Sequence, residues 1–141
     1  MTAEKSGEPV KVLVYSDDRN TRAQIRHALG TRVASDLPPV EVIECATAPA
    51  VVNNADTGTL DVVILDGEAV PVGGMGLCRT LKDEVPNCPP VLMVVGRRDD
   101  AWLATWSRAE AVVAHPIDPV RLPREVAGLL RARLSGTPVA L

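Results

Sequence analysis

The sequence predicts an α/β fold, in which a doubly wound, five-stranded parallel sheet carries helices on both faces. Two observations predict it. Short apolar segments alternate with helix-type patterns five times along the chain, and most of those segments are continuously apolar instead of alternating with polar residues. Strands of this kind are typical of a parallel sheet buried between helices. Ligands of such folds bind beyond the carboxyl ends of the strands, so the residues that end each strand are candidates for function.

The first half of the chain contains three predicted strands and two predicted helices. Residues 10–16 (VKVLVYS) form a short apolar strand, and an amphipathic helix then runs from Arg19 to near Gly30. Residues 40–46 alternate apolar and polar positions, as a strand does, and the segment APAVVNNADTG predicts a short, weak helix. Residues 60–66 (LDVVILD) form the third and most apolar strand.

The second half repeats the pattern with two strands and three helices. A loop rich in Gly and Pro leads into a helix over residues 75–85. A shorter helix is predicted with Asp99 or Asp100 as its cap, since Asp is favoured at that position. The strands are 91–95 and 111–114, and the last helix, which starts after Asp118, carries the apolar residues Val126, Leu129, Leu130 and Leu134.

Composition favours one packed domain with an aliphatic core. Hydrophobic residues make up 46% of the 141 residues, but there is no Phe, one Tyr and two Trp. This scarcity of aromatics disfavours flavin sites and single-stranded nucleic-acid platforms, which depend on stacking. We expect residues 1–9 to be a disordered tail, 10–134 to be the domain and 135–141 to be a short C-terminal tail, with no separate output domain.

The net charge and the cysteine content indicate which classes of partner and which cellular location to expect. The net charge is −3, and the arginines are scattered, so we expect no nucleic-acid partner. No segment approaches the roughly 18 apolar residues that a membrane span needs. Cys45, Cys78 and Cys88 form no paired motif, so we expect free thiols in a cytoplasmic protein.

Acidic residues gather at the predicted carboxyl ends of the strands. Asp17 and Asp18 follow the first strand, and Asp66 closes the third. Carboxylates crowded at one rim repel each other unless a cation lies between them, and Mg²⁺ or Mn²⁺ suits such oxygen ligands. Asp66 could alternatively be a nucleophile that accepts a phosphoryl group. The simpler interpretation is that Asp17 and Asp18 cap the first helix and Asp66 only ends a strand.

The segments KVLVYSDDRNTRAQIRHALG, LDVVILDGEAVPVGGMGLCRTLK, PVLMVVGRRDD and AVVAHPIDP together resemble a receiver domain of the bacterial two-component response regulators. The resemblance covers nearly all of residues 10–134. It implies a flavodoxin-like sheet with strand order 2-1-3-4-5 and phosphorylation of Asp66 by a histidine kinase or a small phosphodonor. It also implies a Mg²⁺ site with Asp17 and Asp66 as ligands, the carbonyl of Glu68 as a further ligand, and Asp18 as a partial substitute for a missing acid.

The chain departs from the pattern of this family at five positions, one of which is Val70, with Pro71 after it, where the family has a loop Pro. Ser16 stands at the first position of the usual acidic pair, and Val95 replaces the Thr or Ser that ends the fourth strand. His115 replaces the usual Lys, and Val112 replaces the aromatic switch residue. The phosphoryl surroundings would be Val95, Gly96 and His115. We therefore expect a weakened Mg²⁺ site, weakened phosphorylation and no conventional switch.

The role of His115 is open at this point. It could be a cationic replacement for Lys, a pH-sensitive group or a polar residue at a strand end.

Two further features have alternative readings. Trp102 and Trp106 lie four residues apart on one predicted helix, where core packing is the favoured interpretation and an exposed interaction anchor the alternative. Gly73, Gly74 and Gly76 are interpreted as glycines of a mobile loop, since no complete phosphate-loop motif is present.

Three functions are considered. The first is an atypical response regulator, not an enzyme, that binds a histidine kinase or another signalling protein. The second is a phosphorylation-independent adaptor, with homodimerisation through the fourth and fifth helices. The third is a small enzyme, either a Mg²⁺-dependent phosphatase or a redox protein; no second catalytic acid near Asp66 supports the former, and no aromatic stacking groups support the latter.

Overall fold

The computed structural model describes residues 8–136, so most of both predicted tails lies outside the described residues. The strands are β1 (Val10–Tyr15), β2 (Val40–Cys45), β3 (Val62–Asp66), β4 (Val91–Val95) and β5 (Ala111–Ala114). The helices are α1 (Arg19–Leu29), α2 (Ala48–Ala55), α3 (Gly74–Glu84), α4 (Ala101–Trp106) and α5 (Arg121–Ser135), with a 3₁₀ turn over Arg98–Asp100.

The five strands form one sheet in the order β2-β1-β3-β4-β5, and every neighbouring pair is parallel. This confirms the predicted fold class and strand order. All residues of β3 and β4 are buried, which explains their continuous apolar sequences, whereas the edge strand β2 has two exposed residues, Glu41 and Glu44. The central position of β3 places its last residue, Asp66, in the middle of the sheet's carboxyl edge.

Alternate side chains of the strands enter two separate cores. Leu13, Tyr15, Val63, Leu65 and Met93 pack on one face with buried residues of α2 and α3. The other face is covered by α1 and α5, and its buried residues include Val12, Val14, Ile64, Val94, Ile25, Leu29, Val126 and Leu130. Both faces of the sheet are therefore covered, as a doubly wound fold requires.

Asp18 caps α1, because its carboxylate accepts a hydrogen bond of 2.8 Å from the backbone N–H of Asn20. Near the start of α5, the carboxylate of Asp118 accepts hydrogen bonds from the N–H groups of Val120 and Arg121. These helices start where the sequence predicts. Asp100 occupies the predicted cap position of α4, but its side chain does not form the capping hydrogen bond.

The interpretation of Trp102 and Trp106 as core residues is wrong. Their relative exposures are 67% and 51%, and the face of α4 that they share points to solvent. The guanidinium carbon of Arg79 lies 4.4 Å from the centre of the Trp106 ring, so a cation partly covers this one aromatic face. Leu134, predicted on the apolar face of the last helix, is also 56% exposed, since it lies in the final turn.

The three cysteines are free thiols, as predicted. Burial raises the pKa of the Cys78 thiol to about 11, which keeps it protonated at neutral pH. None of the helices between residues 8 and 136 combines the length and apolar character needed to cross a membrane.

Gly74 belongs to helix α3 and not to a loop, which corrects its interpretation as a loop glycine, and Gly76 lies in the same helix, as the predicted helix over 75–85 required. A carbon added as a Cβ at Gly74 would lie 2.7 Å from the carbonyl oxygen of Asp66, whereas one at Gly76 would meet nothing within 4 Å. Gly74 is therefore needed for close approach of α3 to the end of β3.

We expect Gly74→Ala to destabilise the fold by about 1–3 kcal/mol, because the added methyl group overpacks against the Asp66 backbone. Gly76→Ala is the matched control, and it should stabilise the protein by roughly 0.5–1 kcal/mol through helix propensity. Urea unfolding of both variants measures the difference. Equal effects of the two substitutions would contradict the assigned contact.

Candidate functional site

The candidate site is built around Asp66, the last residue of β3, which is 4% exposed. The hydroxyl of Ser16 donates a 2.8 Å hydrogen bond to Oδ2, and the backbone N–H of Glu68 donates one of 2.9 Å to Oδ1. Nε2 of His115 lies 3.6 Å from the same Oδ1 atom. A buried carboxylate needs such donors, so Asp66 is held in one orientation at the sheet edge.

Ser16 is fully buried, and all parts of it are engaged. Its hydroxyl accepts a 3.0 Å hydrogen bond from the N–H of Asp18 while it donates to Asp66. Its carbonyl accepts a 2.7 Å hydrogen bond from Arg22, and the side chain of Arg22 also contacts Glu44 at 3.0 Å. This network fixes the serine hydroxyl against Asp66.

The two predicted acids after β1 have different partners. Oδ1 of Asp17 accepts a 3.0 Å hydrogen bond from the N–H of Val70, in the loop that follows β3. The carboxylate of Asp18 is instead engaged as the cap of α1. The capping interpretation therefore describes Asp18 but not Asp17, whose side chain lies beside the loop next to Asp66.

Glu68 contributes more than its backbone. A Cβ added at Gly96 would lie 2.9 Å from the carboxyl carbon of Glu68 and about as close to both of its oxygens, so this carboxylate lies directly on the Gly96 backbone. The sequence pattern indicates a role only for the Glu68 carbonyl and does not predict the contact of its carboxylate with Gly96. The one feature of the sequence that is consistent with this contact is the glycine at position 96, which leaves room for the carboxylate.

The other predicted surroundings lie at the ends of β4 and β5. Val95 is 1% exposed and offers no hydrogen-bond donor from its side chain. The N–H of His115 donates a 2.8 Å hydrogen bond to the carbonyl of Val95, which ties the two strand ends together. Val112 lies on β5 and is half-buried. Of the residues predicted to surround a phosphoryl group, His115 alone brings a polar side chain within 4 Å of Asp66.

The carboxylate oxygens near Asp66 provide only some of the ligands that a divalent cation needs. No cluster of three or more His, Cys, Asp or Glu side chains arranged for a metal ion is found among the described residues. Asp17 and Asp66 supply carboxylate oxygens of the type that Mg²⁺ prefers, while Asp18 is engaged elsewhere. These residues therefore fit a Mg²⁺ ion that retains most of its water ligands.

Tyr15 was also missed by the sequence analysis. It ends β1, and its hydroxyl donates a 2.6 Å hydrogen bond to the carbonyl of Val72. Burial raises the pKa of this phenol, and the negative charges of Asp17 and then Asp66 raise it further. The effect of both carboxylates on one phenol shows that Tyr15, Asp17 and Asp66 lie in a common electrostatic environment.

Because Tyr15 is the only tyrosine, its ionisation can be followed by ultraviolet absorbance. We expect the phenol to titrate above its ordinary pKa, and Asp17→Asn to lower that pKa, since an anion that opposes the phenolate is removed. Asp18→Asn is the matched control and should leave the titration unchanged, because Asn still caps a helix. Circular dichroism at each pH checks that the chain stays folded. An unaltered titration in Asp17→Asn would refute the assignment.

Comparisons with known proteins agree with this geometry. No family model matches the chain. It is 53% identical over 127 residues to proteins described as uncharacterized response regulatory proteins in two strains of Mycobacterium tuberculosis, an alignment that covers 90% of this chain and 96% of theirs.

Solved structures of low sequence identity share the fold. A CheY-like receiver domain protein from Methanospirillum hungatei is 17% identical with a TM-score of 0.74, and the match covers 92% of this chain and 99% of that one. A chemotaxis response regulator of Vibrio cholerae is 20% identical with a TM-score of 0.72, covering 87% of this chain and 100% of that one. With the strand order and the identity to the mycobacterial proteins, these likenesses confirm the expected resemblance: the chain belongs to the response regulators of two-component signalling and has the fold of a CheY-like receiver domain.

Proposed function

We propose that this receiver domain is an atypical one, in which Asp66 accepts a phosphoryl group and the signal passes on through protein–protein contacts. The observation that carries the proposal is the Asp66 carboxylate, fixed at the centre of the sheet's carboxyl edge by Ser16 and Glu68, with His115 beside it. A histidine kinase or a small phosphodonor would supply the group. A carboxylate oxygen forms the new bond to phosphorus as the bond to the leaving group breaks, and the leaving group keeps the electron pair.

Asp17, Asp66 and the carbonyl of Glu68 are the groups that would hold Mg²⁺. When bound, the ion screens the repulsion between the carboxylate and the incoming anion. We expect this site to be weak, since Ser16 brings a hydroxyl where a third carboxylate would help, and Asp18 is engaged as a helix cap.

The surroundings of Asp66 favour a short-lived or sparsely populated phosphorylated state. A Lys at position 115 would supply a charge-assisted bond of about 1.5–3 kcal/mol, and a hydroxyl at position 95 roughly 0.5–1.5 kcal/mol more. Val95 supplies nothing comparable, and the Glu68 carboxylate that lies on Gly96 places a further negative charge at this edge of the sheet. Without a hydroxyl at position 95 or an aromatic at position 112, a conventional hydroxyl-to-aromatic switch is not available.

Incubation with acetyl phosphate and Mg²⁺, followed by intact-mass measurement, tests the phosphoacceptor. We expect partial addition of one phosphoryl group, its complete loss in Asp66→Asn and slower addition in Asp17→Asn. Asp18→Asn is the matched control, because it keeps the helix cap and should behave as the unmodified chain. No addition to the unmodified chain, or addition that persists in Asp66→Asn, would refute the proposal.

A second candidate is a phosphorylation-independent adaptor that forms a homodimer through α4 and α5. The exposed pair Trp102 and Trp106 favours it, because Trp is enriched at the centres of protein interfaces.

For this second candidate, sedimentation should show a dimer that forms equally in the unmodified chain and in Asp66→Asn, and that Trp102→Ser weakens. Val120→Ser changes another apolar residue, which is 63% exposed at the start of α5. Its effect on the dimer, set beside that of Trp102→Ser, shows how much each helix contributes to the interface. A monomer at all concentrations, or a dimer that requires phosphorylation of Asp66, would exclude this candidate.

A further inference from the structure

A cleft lies where β5, the start of α5 and the turn before α4 meet. It consists of two adjoining cavities of about 410 Å³ and 310 Å³. Both are lined by Val113, Ala114, Arg98 and Arg121, so they share one wall and one pair of cations. Cavities of this size are large enough for a small ligand, since ligand pockets are typically about 300–1,000 Å³.

The lining of the cleft is largely aliphatic apart from its charged rim. The smaller cavity adds Val95, Ala101 and Val112, whose short side chains leave the space above β5 unfilled. The larger cavity extends past β5 and adds His115, Pro116, Ile117, Asp118, Pro119 and Leu122. An apolar group of a ligand would therefore be removed from water along this surface.

The two arginines at the rim differ from the arginines that pair with carboxylates elsewhere in the fold. In the part of the chain that the structure describes, Arg22 and Arg26 pair with Glu44, and Arg97 lies 3.8 Å from Asp100. The guanidinium groups of Arg98 and Arg121 are exposed, and neither forms a hydrogen bond or ion pair with another described residue.

The one carboxylate among these lining residues, that of Asp118, is held mainly by backbone N–H groups, and its attraction to the Arg121 guanidinium is weaker than those bonds. Asp118 accepts hydrogen bonds from the backbone N–H groups of Val120 and Arg121, and these bonds lower its pKa. Two arginines that line a shared cavity supply guanidinium groups, which bind a carboxylate or a phosphate through paired N–H donors.

We propose that this cleft binds a small organic anion, in which a phosphate or carboxylate group is joined to a short aliphatic body. Arg98 and Arg121 hold the anionic group, and the valine and alanine side chains contact the aliphatic part. No aromatic side chain lines the cleft, which favours an aliphatic ligand over a nucleobase. The site requires no phosphorylation of Asp66, although His115, which lies 3.6 Å from Asp66, forms part of its lining.

Titration with hexyl phosphate, hexanoate, inorganic phosphate and hexanol tests this proposal. Calorimetry provides the affinity, and the fluorescence of Trp102, the residue after the cleft residue Ala101, is a second readout. We expect saturable binding of hexyl phosphate or hexanoate, with the stronger of the two identifying the anionic group. Inorganic phosphate and hexanol should each bind more weakly, because each supplies only half of the contacts.

Matched variants test which residues form the site. Arg98→Ala and Arg121→Ala should each weaken binding by about tenfold, the usual scale for a lost charge-assisted bond. Arg97→Ala and Arg124→Ala remove neighbouring arginines that do not line the cleft, and they should leave binding unchanged. Val112→Phe fills the smaller cavity without altering charge and should also weaken binding, with its melting temperature as the control for folding.

No saturable binding of any probe would overturn the proposal, as would binding that survives both Arg98→Ala and Arg121→Ala. Binding of an acidic peptide but not of the small anions would identify the cleft as a peptide site and would equally overturn it. The same titration of Asp66→Asn separates this proposal from the phosphoacceptor proposal, because the cleft should bind its ligand in either background.

Discussion

The hydrogen bond between Ser16 and Asp66 is the interaction on which the arrangement of side chains at the carboxyl edge of the sheet depends. It joins the ends of the neighbouring strands β1 and β3, and it gives a buried carboxylate one of its hydrogen-bond donors. Ser16 is in turn fixed by Arg22 and by the N–H of Asp18, so the start of α1 is connected to the same contact. Removal of this hydroxyl would leave a buried negative charge short of a partner, the kind of change that costs several times more than a surface substitution.

Most of the architecture could be predicted from the sequence because parallel strands buried on both faces are continuously apolar. The strands over 91–95 and 111–114 have the predicted bounds, and the position of Asp66 follows from the end of β3. Single-residue contacts across the sheet edge could not be predicted in this way. The approach of Glu68 to Gly96, and of Gly74 to the Asp66 backbone, depends on how a loop and a helix pack in three dimensions, which no local pattern encodes.

The misassigned tryptophans have a related physical cause. A four-residue spacing places two side chains on one face of a helix, but it does not say which face the fold buries. Helix α4 has only six residues, and its two tryptophans lie on the face that points to solvent. Large exposed aromatic side chains on a short helix therefore indicate a surface that is available for contact with another molecule.

The loop after β3 is tied to the end of β1 by two hydrogen bonds, one from Val70 to Asp17 and one from Tyr15 to Val72. Under the proposed function Asp17 would also ligate Mg²⁺, and an ion bound to its Oδ1 would compete with the Val70 N–H for the same oxygen. Cation binding and loop attachment would then be linked equilibria: an ion that draws Oδ1 of Asp17 away from Val70 would loosen the loop, and a partner that holds the loop in place would weaken the binding of the ion by the same factor. The occupancy of the metal site would thus be set in part by whatever protein touches residues 70–72.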